Sequence, residues 1–204
     1  MNNLQDLNGI SIQGHIKIYD PQSQEIFVQK RNAIHYENMS VALAESVSNQ
    51  GQGFIYEMSF GNGGTSVDPT GIIAYLTPNS TGTNADLYNQ TYSKVVIDDG
   101  SLNTNPTQNF LETRHVSGTN YTDVIVSVLL DYGEPEGQEA FDNTTDMQSD
   151  FVFDELGLRS RAPDPNNQGR LLTHVIFHPV QKSLNRLIQI DYTVRIQSLS
   201  GGNL

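Results

Sequence analysis

At roughly 150 residues per domain, the chain's 204 residues make one domain or two small ones. Its 11 Lys+Arg against 23 Asp+Glu leave a net charge of −12, while Asn, Gln, Ser and Thr hold apolar residues to 36% and charged ones to 17%. This balance argues against a disordered polyelectrolyte, a phosphate-gripping basic face and a membrane span, and the lack of Cys excludes disulfides and thiolate metal sites.

In chain order, residues 1–9 read as a polar arm whose start has no charged region followed by an apolar run, so no secretory signal is expected. Ile10, Ile12, Ile16 and Ile18 share one parity and predict a half-buried strand. A turn at Asp20 and Pro21 returns the chain as a hairpin arm over 25–30. Between 35 and 50, Tyr36, Met39, Leu43 and Val47 recur at helical spacing. They predict a helix capped by Asn32 or a neighbour and ended by Gly51 or Gly53. A strand over 54–60 runs into the glycine cluster 61–65. From there to about residue 110 the chain reads as loop-rich, with brief extended pieces at 72–76 and 92–97 and a loop-rich insertion over 77–110.

Residues 121–132 predict a long strand with Val124, Val126, Val128 and Leu130 on one face. An acidic insertion, 133–150, carries Glu134, Glu136, Glu139, Asp142, Asp146 and Asp150 with no Lys or Arg. Strands are then predicted over 151–158, 170–180 and 184–198. In the last, Ile188, Ile190, Tyr192, Val194 and Ile196 point inward and alternate with polar residues. The expected fold is mainly β: one antiparallel β-sandwich or jelly-roll-like domain over 1–204 with a single α-helix.

Chemical motifs are sparse. His174 and His178 in a strand begin about 13 Å apart, too far to share a metal, and read as packing or interface histidines. The loop from Asp164 to Gly169 opens like a calcium loop but has Val175 where the bidentate Glu belongs, and the acids at 142–146 lack the ligand spacing. Gly61, Gly63 and Gly64 fit neither a dinucleotide nor a phosphate loop, and suggest a tight turn or a close backbone approach. Asp154 and Glu155 are neighbours on a strand, and alternation would send them to opposite faces, which argues against a glycosidase pair. No catalytic residue, cofactor or metal site is expected. The six acids of the insertion are the candidate interface, a strip that would dock a basic patch on a neighbour.

Three blocks, in order, resemble a family of small tailed-bacteriophage virion structural proteins. The first is GHIKIYD (14–20), FVQKRNAI (27–34) and MSVALA (39–44), similar to the hairpin–helix opening of phage neck, tail and fibre-associated proteins. The second is MSFGNGGT (58–65), similar to the glycine turn that follows. The third is FDELGL (153–158), VIFHPVQK (175–182) and IQIDYTVRI (188–196), similar to the closing strands. The resemblance implies a non-enzymatic virion component, neck or collar, baseplate or tail-associated, made in the host cytoplasm. Its expected partners are copies of itself and other virion proteins, with no nucleic acid or membrane. Capsid decoration is an alternative position. A carbohydrate-binding or adhesive β-sandwich is the other reading; without Trp, it would need a platform of Tyr75, Tyr88 and Tyr92.

Overall fold

The structure is a computed structural model that describes residues 9–82, 84–96, 107–136, 151–164 and 166–199. Strands β1 (Gly9–Tyr19) and β2 (Ile26–Ile34) form the opening hairpin, and α1 (Tyr36–Val47) leads to β3 (Ile55–Gly61). Next come β4 (Thr65–Val67), β5 (Ile73–Tyr75), β6 (Gln90–Val95), β7 (Phe110–His115) and β8 (Tyr121–Leu130). The chain closes with β9 (Val152–Ser160), β10 (Thr173–Gln181) and β11 (Ile188–Leu199).

Nine strands make one antiparallel sheet in the order β6-β3-β9-β10-β2-β1-β11-β8-β7, and β4 and β5 form a separate hairpin. The two halves of the sheet meet between β2 and β10 through only two residue pairs, Thr173–Ile34 and His174–Ala33. The sheet curls, and the inner faces of both halves share one core. Phe60, Phe153 and Leu156 from one half join Ile16, Val128 and Ile190 from the other. The mainly β, sandwich-like architecture expected from alternation is the observed one. Ile188, Ile190, Tyr192 and Val194 are buried along β11, as are Val126, Val128 and Leu130 along β8.

Four expectations are corrected. Asn32 does not cap the helix: it lies in β2, where its amide donates to the Tyr192 hydroxyl. The cap is His35, whose Nδ1 accepts from the Asn38 amide at 3.2 Å. The apolar stripe is also rotated. Tyr36 and Val47 are exposed, whereas Asn38, Met39 and Ala42 are buried. Asn38 tolerates burial because its side chain donates to the Leu171 carbonyl at 2.9 Å. Helix α1 ends at Ser48, before either glycine. Gly53 is needed for a close approach, since a Cβ there would meet the Ala42 carbonyl oxygen at 2.0 Å. Finally, β7 begins at the end of the stretch read as loop. Its half-exposed pattern, from Phe110 to His115, is that of an edge strand, which needs little apolar alternation.

Candidate functional site: a buried acid pair beneath a glycine loop

Strand β9 is buried along its whole length. Phe153 and Leu156 both enter the core although they are three residues apart, so the two residues between them point outward together. The irregularity coincides with a register shift against β10, between Ile176 and Val180. Asp154 and Glu155 therefore lie under the same glycine loop, not on opposite faces as strict alternation requires.

Glu155 is fully buried and accepts four hydrogen bonds. One oxygen, Oε1, takes the Gly63 amide at 3.1 Å and the Asn89 amide at 2.8 Å. The other, Oε2, takes the Tyr88 amide at 2.9 Å and faces His174 Nε2 at 3.0 Å. The Asn79 amide donates to His174 Nδ1 at 2.8 Å, which assigns the proton to Nε2 and makes His174 the donor to Glu155. Asp154 accepts from the Gly64 amide at 2.9 Å, the Thr65 amide at 2.8 Å and the Thr65 hydroxyl at 2.5 Å.

The glycines make this approach feasible. A Cβ on Gly61 would fall 2.5 Å from Glu155 Oε1, and one on Gly63 would fall 2.7 Å from the Asn89 amide nitrogen. None of the three glycines has positive φ, so of the two roles expected for them it is the close approach that applies.

The two acids titrate in opposite directions. Burial pushes Glu155 up, but the hydrogen bonds from His174 and the Asn89, Tyr88 and Gly63 amides outweigh it and hold the carboxyl below its ordinary value. For Asp154 burial wins over the Thr65 and Gly64 hydrogen bonds, and the charge of Glu155 adds to it, so that carboxyl is raised. Every carboxylate oxygen of the pair is occupied by the protein's own donors. Chemically the cluster is an anchor: two anions collect backbone amides from the 62–65 and 79–89 segments and fasten them over β9.

Arg159 extends the anchor along the same strand. Its buried guanidinium donates to Ser59 Oγ at 3.0 Å, the Gly169 carbonyl at 3.1 Å and Gln90 Oε1 at 2.9 Å, and pairs with Asp86. Gly169, in the loop that opens like a calcium site, is thereby held by an arginine, and Asp164 Oδ1 accepts from the Asn166 amide in a local turn. No group of three His, Asp or Glu residues placed to hold a metal occurs among the described residues.

The remaining sequence candidates are scattered. His178 is exposed and lies 3.2 Å from the Tyr75 hydroxyl. Tyr88 packs against the His174 ring and donates to the Thr77 carbonyl at 2.7 Å. Tyr92 packs on Phe60 at the core, so the three tyrosines do not form one exposed platform. In the acidic insertion, Glu134 pairs with Lys94 at 2.5 Å and accepts the Asp131 amide at 3.0 Å. Glu136 is exposed, while Glu139, Asp142, Asp146 and Asp150 lie outside the described residues.

Sequence reasoning missed the anchor because nothing in a linear pattern links a glycine cluster to acids some ninety positions on. One local signal was available: Phe153 and Leu156 are both apolar at a spacing of three, which breaks the strand alternation. No family model, curated protein or solved structure matches the chain.

Proposed function

We propose that this chain is a non-enzymatic structural component of a tailed-bacteriophage particle that works by docking onto copies of itself and other virion proteins. The observation that carries the reading is where its reactive groups are spent. The clustered Asp154, Glu155 and His174 are sealed under a loop with their hydrogen-bonding capacity filled by the fold. Among the described residues, what is left for other molecules is contact surface: the edge strand β7, the exposed hairpin β4–β5 and the exposed Glu136 at the start of the acidic insertion. The order of the three motif blocks supplies the phage context, with neck, collar or tail association favoured over capsid decoration.

The test is incorporation. Epitope-tagged protein expressed during infection by a phage that encodes it should co-purify with particles and appear at symmetric positions by electron microscopy. Its absence from purified particles would refute the proposal. The adhesive reading keeps one supporting feature, the exposure of Tyr75 and Tyr88 (52% and 44%). Glycan-array binding lost on Tyr75→Ala would favour it.

A further inference from the structure

Strand β1 is paired on only one side over part of its length. Against β11 its ladder is continuous from Gly9 to Tyr19, but against β2 it runs only from Gly14, opposite Asn32, onward. Beyond Asn32 the β2 backbone leaves for β10, drawn by the Ile34–Thr173 and Ala33–His174 pairs. The His35 amide, which donates to the Leu172 carbonyl at 2.9 Å, continues the same departure. The sheet therefore forks. Among the described residues no strand lies beside Gly9–Gln13 on the β2 side. Five residues of strand extend about 17 Å, a common strand length, and alternate residues along them aim their N–H and C=O groups into the gap.

The gap is a groove of about 430 Å³, with Ser11 and Gln13 of β1 on one side, Arg31 and Ala33 of β2 on the other, and Tyr36 beside them. Two apolar side chains stand uncovered here. Ile10 is 66% exposed although it shares the inward parity of Ile12, and Tyr36 is 71% exposed. A second groove, of about 450 Å³, shares Gln13, Gly14 and Arg31 with the first and continues over the outer sheet face. Arg31, Arg114 and Arg195 line it against a single carboxylate, Asp123, which Arg195 holds through two bonds at 2.7 and 2.8 Å. Arg114 pairs with Glu112. Arg31, exposed and directly opposite His15, forms no ion pair among the described residues. On a chain of net charge −12, the mouth of the fork thus carries an unspent cation.

We propose that the fork between β1 and β2 is a strand-addition site that takes an extended, acidic segment of a partner protein, its backbone paired to Gly9–Gln13 and a carboxylate on Arg31. Side chains alternate across a strand, so such a segment presents acids on the outer face, with Arg31, and apolar residues on the inner face, with Ile10 and Ile12. Nucleic acid would satisfy Arg31 but leave the row of backbone groups unpaired, which favours a peptide. The site goes beyond the virion reading and is measured on the isolated chain, so its failure leaves the incorporation test untouched.

The probe is a capped, fluorescent heptapeptide of alternating Glu and Val. Its anisotropy should rise saturably with the full chain, and the Lys and Val counterpart should bind about tenfold more weakly. Arg31→Glu should weaken the Glu and Val peptide by a similar factor, with an unchanged circular dichroism spectrum because the side chain is exposed. A further arm leaves the protein untouched. Methylating the peptide's amide nitrogens at the Glu positions, or at the Val positions, removes alternate donors, and one set but not the other should abolish binding. No binding, equal binding of the Glu and Lys peptides, or indifference to both methylated sets would overturn the proposal. Tighter binding of a single-stranded oligothymidine would overturn it in favour of nucleic acid. A dimer of the chain that the peptide displaces would overturn the choice of occupant in favour of a second copy.

Discussion

Replacing Glu155 by Gln tests the anchor with almost no change of shape. Glutamine can still accept from the Gly63 and Asn89 amides through one oxygen, but its NH2 group would then face the Tyr88 amide and the Nε2–H of His174, both donors. His174 cannot resolve the conflict by moving its proton to Nδ1, because the Asn79 amide already donates there. Two hydrogen bonds to a charged acceptor are therefore lost, each worth about 1.5–3 kcal/mol, and buried donors are left facing one another. The expected loss is about 3–6 kcal/mol, against a total stability of about 5–15 kcal/mol for an ordinary domain. For a chain of this size the midpoint should fall by roughly 6–24 °C. Urea and thermal unfolding followed by circular dichroism measure the loss.

The pH dependence adds a sign. Because the folded-state value of Glu155 is depressed, its contribution is present above the unfolded value and is lost as pH falls through the folded one. The gap between wild type and Glu155→Gln should narrow below about pH 4. A Gln variant within about 1 kcal/mol of wild type at neutral pH would refute the anchor.

Asp154, raised rather than lowered, should behave differently: its charge is a penalty above the folded value that disappears on acidification, so Asp154→Asn should cost less than half of what Glu155→Gln costs in the same unfolding assay. Ile190 is fully buried in β11, and Ile190→Asp should lose several kcal/mol or fail to fold, which thermal unfolding of the purified variant checks. Gly169→Ala would place a Cβ 1.6 Å from the Ser160 carbonyl oxygen, so the loop that accepts from Arg159 must shift; a loss of about 2 kcal/mol or more is expected by urea denaturation. Neutralising Glu136, Glu139, Asp142, Asp146 and Asp150 while keeping Glu134 for its Lys94 pair should leave unfolding unchanged but slow particle incorporation at low salt, as measured by timed co-sedimentation with particles.

The strands that carry one buried face were legible in the amino-acid order alone. Alternation along β1, β8 and β11 is a local consequence of the pleat, so Ile188, Ile190, Tyr192 and Val194 announce their burial without reference to any partner. The period of α1 was legible for the same reason. Which side of it faces inward was not, because that depends on Asn38 finding the Leu171 carbonyl from another part of the chain. The rest depends on the folded arrangement. The curl at the two-residue β2–β10 junction, the bulge that turns Asp154 and Glu155 to one side, and the use of the loop-rich segment as a cover for β9 all depend on pairings between distant residues. A buried carboxylate needs donors that reach it, and those donors are backbone amides, which every sequence contains and none advertises.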